Sequence, residues 1–190
     1  VIDASRPDSL VLAAFLPTTR STRDITVSDT LCLVSLEPAG SPEDPAIMLM
    51  SIADPRAPRL IGAFRSDSVD MAHNAWLEPP YAYVANSRAG DLRIIDFTDP
   101  AEPFEAAQWS VEEEPAYLHD VLVSDTLALL SYWEDGFVVL SVADPAAPYE
   151  LGHFTYPGAR THSAALSPDR RTAYVSDEIF GAPYGGLHIL

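Results

Sequence analysis

Ser51-Ile52-Ala53-Asp54-Pro55-Arg56-Ala57-Pro58 recurs 45 residues later as Asp96-Phe97-Thr98-Asp99-Pro100-Ala101-Glu102-Pro103, and after another 45 as Ser141-Val142-Ala143-Asp144-Pro145-Ala146-Ala147-Pro148. A worn copy, Asp3-Ala4-Ser5-Arg6-Pro7, has its proline 48 residues before Pro55. Each copy follows an apolar stretch: Val1-Ile2, Ile47 to Met50, Leu92 to Ile95, Phe137 to Leu140. Each is followed by a stretch ending in an aromatic: Phe15, Phe64, Trp109, Phe154. A second block, Val27-Ser28-Asp29-Thr30-Leu31, returns as Val123-Ser124-Asp125-Thr126-Leu127. Self-similarity at a fixed period means one supersecondary unit copied along the chain.

Each unit reads as four short strands. In the third they are Asp120 to Val123, Leu127 to Trp133, Phe137 to Val142 and Tyr149 to Phe154, rich in Val, Leu, Ile, Tyr and Phe and punctuated by Asp, Pro, Gly and Ser. No window sustains a 3.6-residue period over a helical length. The 17 prolines fit strand ends and turns, because proline removes a backbone donor. In the Asp-Pro pairs the proline presets φ and the Asp side chain caps the backbone. Four strands per repeat of this length is the period of a β-propeller blade. The expectation is an all-β propeller with blades at roughly 1–16 (partial), 17–64, 65–109, 110–154 and 155–190 (partial). The register opens and closes in third strands, so about four blades are read as a piece of a larger propeller.

The chain has 190 residues and no lysine; 11 arginines face 28 acidic residues, for a net charge of −17. That balance argues against nucleic acid and against anionic lipid, both of which need clustered basic groups. A hydrophobic fraction of 47% argues against disorder. The longest fully apolar run, Leu10 to Leu16, is far too short to span a membrane. Cys32 stands alone, so no disulfide forms within the chain and any metal must rest on histidine and carboxylate. Among Leu31, Leu33 and Val34, it is expected to be a buried apolar filler.

Leu92-Arg93-Ile94-Ile95-Asp96-Phe97-Thr98-Asp99-Pro100 resembles the repeat of the LVIVD-repeat β-propellers of bacteria and archaea. Three passages resemble the narrower choice-of-anchor B group of bacterial surface proteins: Ala72-His73-Asn74, Tyr117-Leu118-His119-Asp120, and Tyr156-Pro157-Gly158 with Thr161-His162 and Asp177-Glu178. The resemblance implies a propeller fold and an extracellular or cell-envelope location. It implies no reaction, and leaves the partner an unidentified protein or small molecule.

One constellation carries chemistry. His73, His119 and His162 occupy one position in three consecutive blades, each at the start of a first strand, with Arg23 then Asp24 in the corresponding place before them. First strands line a propeller's central channel, so these groups, with Asn74 and Asp120, are expected at one channel mouth. Strand pairing is expected to set His162 beside Ser176 or Asp177, His119 near Ser131, His73 near Asn86 and Arg23 near Ser35. Imidazoles converging from different elements suit Zn, Fe, Cu or Mn, with Asp177 and Glu178 orienting or completing the shell. The chain then reads either as a binding or surface module or as a metal-dependent enzyme. The plainer account, in which repeated histidines only hydrogen-bond neighbours and water, stays open beside it.

Other signals are structural. Asp54, Asp99 and Asp144, with Asp29 and Asp125, are read as turn formers, and His153 and His188 as structural. Ser163 lacks a nucleophile elbow, Gly185-Gly186 is a lone turn, and Glu112-Glu113-Glu114 lacks calcium-loop spacing. Trp76, Trp109 and Trp133 are expected between blades, with Trp133 near a loop end where an aromatic serves binding.

Overall fold

In the computed structural model, which describes residues 1–18, 20–37, 44–66, 68–69, 71–112, 116–179 and 186–190, every regular element is a β-strand. A small hairpin, β1 (Ile2–Asp3) with β2 (Val11–Leu12), precedes four antiparallel meanders. The first blade holds β3 (Thr22–Ser28), β4 (Leu31–Leu36), β5 (Ile47–Ser51) and β6 (Arg59–Phe64). The second holds β7 (Ala72–Glu78), β8 (Tyr81–Asn86), β9 (Asp91–Asp96) and β10 (Phe104–Ser110). The third holds β11 (Leu118–Ser124), β12 (Leu127–Tyr132), β13 (Gly136–Ser141) and β14 (Tyr149–Phe154). The fourth holds β15 (Thr161–Leu166), β16 (Ala173–Asp177) and β17 (Leu187–Ile189). Glu113, Glu114 and Gly185 lie outside the described residues.

The repeated Asp-Pro segments are turns, by one mechanism. Asp54, Asp99 and Asp144 each accept the backbone N–H two residues on through Oδ1, at 3.0 Å in every copy. Their carbonyls accept a further N–H from Ala57, Glu102 and Ala147. The worn copy keeps the bond, Ser5 N–H to Asp3 Oδ1 at 3.0 Å. Asp29 and Asp125 sit at φ 51° and 58° in the hairpins joining first to second strands. Asp tolerates that left-handed region better than most residues.

Alternation along each strand builds the core between blades, not within them. Ala82, Val84 and Ile95 of the second blade join Leu33, Ile47, Leu49 and Phe64 of the first. Their neighbours Tyr83, Ala85, Leu92 and Ile94 point the other way and join Val121, Leu130, Tyr132 and Leu140 of the third. Leu129 and Phe137 meet Ala173 and Val175 of the fourth. Arg93, only 7% exposed, is neutralised where it lies by Asp91 at 2.7 Å and Glu105 at 2.9 Å. Cys32 departs from expectation. It is half-buried beside Met48 and Met50, on a first-blade face where Ile25, Val27 and Leu60 are exposed, so no second blade covers it among the described residues.

The short turn before β13 depends on Gly136, which holds φ 92°, and an added Cβ would lie 2.3 Å from the Phe154 carbonyl oxygen. Gly136→Ala is therefore expected to cost on the order of 1–3 kcal/mol in urea unfolding. Gly152→Ala, where a Cβ meets open space, should leave stability within about 1 kcal/mol of wild type.

Candidate functional site

The four first strands β3, β7, β11 and β15 pack side by side in that order. Each carries an irregularity at the same place. Ala72 pairs with Asn86 and Asn74 with Ala85, leaving His73 without a cross-strand partner. Leu118 pairs with Tyr132 and Asp120 with Ser131, leaving out His119. Thr161 pairs with Asp177 and Ser163 with Ser176, leaving out His162. In the first blade the shift spans Thr22 to Ile25 and takes in Arg23 and Asp24. The expected neighbours are present, but simple pairing is corrected: each histidine is the extra residue of a β-bulge, opposite a step between two partners. A bulge re-aims a side chain that regular pleating would direct elsewhere.

The three bulges bring the imidazoles together. Ring centroids of His73 and His119 are 4.7 Å apart, and those of His119 and His162 are 4.3 Å apart. His119 Nδ1 donates to the His162 carbonyl at 3.0 Å. Glu178 Oε2 lies 3.4 Å from His162 Nε2 and 4.0 Å from His119 Nε2. The Glu178 backbone is held by its N–H to the Arg160 carbonyl at 2.9 Å. Tyr117 and Trp133 wall the cluster, with centroids 6.0 and 5.3 Å from that of His119. Burial, then the neighbouring His162 and His73, push the His119 pKa down to about 4. Burial, then the Arg23 guanidinium, hold His73 below the ordinary histidine value. Both rings are thus neutral at physiological pH, with lone pairs available to a Lewis acid or a hydrogen-bond donor. His73 Nδ1 is buried with no hydrogen-bond partner among the described residues.

The residue after each ring position has a different task. Asp24 Oδ2 accepts the Ala75 N–H at 3.4 Å and Asn74 Nδ2 at 3.1 Å. Asn74 Oδ1 accepts the Val121 N–H at 3.1 Å. Asp120 accepts backbone N–H groups of Val121 and Ala164. A short polar side chain thus caps the next blade's backbone three times over, at the point where each bulge interrupts the ladder. Asp24 and Asp120 therefore repel across Asn74. Burial first, then Asp24, raise the Asp120 pKa to about 6, against the opposing pull of His162 and the two N–H groups.

Asp177 turns away from the ring. It accepts from the Tyr156 hydroxyl, from the Arg160 N–H at 3.3 Å, and pairs through Oδ2 with His188 Nε2 at 2.9 Å. Burial raises its pKa, but the hydrogen bonds outweigh that and hold it below the ordinary carboxylate value. Gly186 makes room for this group, since a Cβ there would lie 2.4 Å from Asp177 Oδ2. His153 bonds the Asp135 carbonyl at 2.7 Å and joins none of these rings. Arg23 pairs with Glu37 and stays close enough to bias His73. Of the residues singled out in the sequence, the fold gathers His73, His119, His162 and Glu178, sets Arg23 beside them, places Asn74 and Asp120 between blades, and gives Asp177 to His188. Sequence reading missed Tyr117 beside the imidazoles and the capping role of Asp24, Asn74 and Asp120. The second had a signal: a small polar residue follows each ring position.

A model of the LVIVD repeat matches residues 71–110, which is the second blade. No curated protein matches the chain. Among solved structures, the chain is similar to a protein from Lactobacillus plantarum at 13% identity and TM-score 0.73, over 97% of this chain and 60% of that one. It is similar to a functionally unknown protein from Desulfotomaculum acetoxidans at 12% identity and TM-score 0.72, over 100% and 61%. It is similar to the periplasmic gluconolactonase of Pseudomonas aeruginosa at 10% identity and TM-score 0.65, over 90% and 53%. The chain therefore spans between half and two thirds of these natural propellers, and at such identities the likeness carries the fold alone.

The charges behind the ring make a pH prediction. A raised carboxyl binds its proton more readily folded than unfolded, so the Asp120 contribution grows as pH falls from about 6 toward 3.8. A lowered imidazole does the reverse, so the His119 contribution is lost as pH falls from 6.5 toward about 4. The two oppose each other over nearly one window. Asp120→Asn removes the first and keeps an acceptor for the Ala164 N–H, as Asn74 does for Val121. In urea unfolding it should be more stable than wild type at pH 7.5, by on the order of 1–3 kcal/mol, and lose stability more steeply below pH about 6.5.

Proposed function

We propose that the chain belongs to a β-propeller binding module that works outside the cytoplasm, in the manner of the choice-of-anchor B surface proteins, and takes its ligand at the inner mouth. One observation carries the reading: imidazoles from three blades lie in succession, His73 against His119 and His119 against His162, beside the aromatic rings of Tyr117 and Trp133. His73 Nδ1 is buried without a hydrogen-bond partner among the described residues, which supports an outside partner at this point. Rigid strands hold the mouth, and aromatic faces give contact area at small entropic cost. The acidic surface keeps polyanions away, so the ligand is not a nucleic acid.

Histidine-selective NMR of the full-length protein, with small molecules recovered from the source organism's culture medium, reads the mouth directly. The expected result is shifts at His73, His119 and His162 while His153 and His188 stay unmoved. Silent mouth rings overturn the binding site, and recovery of the protein from the cytosol on cell fractionation overturns the location.

A further inference from the structure

We infer that His119, His162 and Glu178 form a site for a divalent transition metal of the zinc type at the propeller mouth. This deepens the reading of the mouth as the binding site and rests on it. Among the described residues these three alone bring three ligand atoms of His, Cys, Asp or Glu within 4.8 Å of one another. One of the separations already matches the chemistry, and the others lie within 4.8 Å. Tetrahedral donors about 2.0–2.2 Å from zinc lie roughly 3.3–3.6 Å from each other. His162 Nε2 and Glu178 Oε2 are already 3.4 Å apart, and His119 Nε2 is 4.0 Å from the same oxygen. A small side-chain closure completes the set.

The surroundings orient the donors. A carbonyl oxygen only accepts, so the 3.0 Å contact from His119 Nδ1 to the His162 carbonyl puts the proton on Nδ1. Nε2 then carries the lone pair on the side of Glu178. That backbone contact is the outer-shell bond that fixes the tautomer of metal-binding histidines. Glu178 is tied down through its own N–H to Arg160. Three elements supply the ligands, the bulges of β11 and β15 and the segment after β16, so the set exists only when the third and fourth blades dock.

Donor type selects the metal. Two nitrogens and one carboxylate oxygen disfavour calcium and magnesium, and no thiolate is at hand to draw a soft ion, since Cys32 lies on the first blade. Three protein ligands leave at least one position for water or ligand. His73, edge-on to His119, and the Tyr117 and Trp133 rings surround the site. A ligand at the open position therefore meets aromatic surface as well as the metal.

The test is equilibrium dialysis of the full-length protein against zinc chloride at pH 7.5, with elemental analysis and the visible spectrum of the cobalt-substituted form. One equivalent of zinc and the absorption bands of four-coordinate cobalt are expected. Glu178→Gln and His162→Ala should each weaken zinc binding by tenfold or more. His153→Ala and His188→Ala, checked with the others for an unchanged unfolding midpoint, should bind as wild type does. Wild type without retained zinc, or zinc retained equally by Glu178→Gln, overturns the site. Failure to retain zinc, together with mouth rings that respond to small molecules, would sink the metal and leave the binding module standing. Zinc bound at one equivalent with no further ligand would do the opposite.

Discussion

A four-stranded sheet that is apolar on both faces cannot stay single in water. Val84 and Tyr83 are neighbours in one strand, face opposite ways, and are both almost fully buried, the first against the first blade and the second against the third. Every internal sheet therefore needs two others, and stacking in an arc satisfies that requirement while protecting the edges. Stacking brings the first strands β3, β7, β11 and β15 side by side, so whatever chemistry those strands carry is concentrated in one place.

Close approach of first strands creates a second demand, because each bulge leaves backbone groups out of the ladder. Asp24, Asn74 and Asp120 meet it by capping the next blade. The order of residue types matters. Asn74 donates to Asp24 while accepting from Val121, which no carboxylate at that place does. It also separates two carboxylates that would otherwise be adjacent. The bulge and the cap are two halves of one device: the extra residue turns an imidazole toward its neighbours, and the next residue ties the blades that hold it.

Much of this was legible in the residues. Period and composition stated the strands and the propeller, and the Asp-Pro turns behave as their chemistry requires. The shared repeat position of His73, His119 and His162 pointed to their meeting, because equivalent residues of stacked blades lie next to one another. The bulges were not legible. An inserted residue that every blade shares leaves the repeat spacing unchanged, so only the hydrogen-bond register reveals it. The role of Asp177 was hidden likewise, because it depends on Tyr156 and on His188 from a neighbouring strand. Arg93 breaks the apolar pattern of its strand, and only the placement of Asp91 and Glu105 explains how it is buried.

The sequence by itself determined the repeating unit, the turn chemistry, the acidic surface and the restriction of any metal to histidine and carboxylate, since all four are properties of residues and their spacing. The tertiary structure alone decided which carboxylate meets which imidazole, which rings stay neutral, and which polar residues join blades. Those depend on distances between chain segments, from Asp177 and His188 within one blade to His119 and His162 across two, set by strand register and by how one blade's apolar face seats on the next.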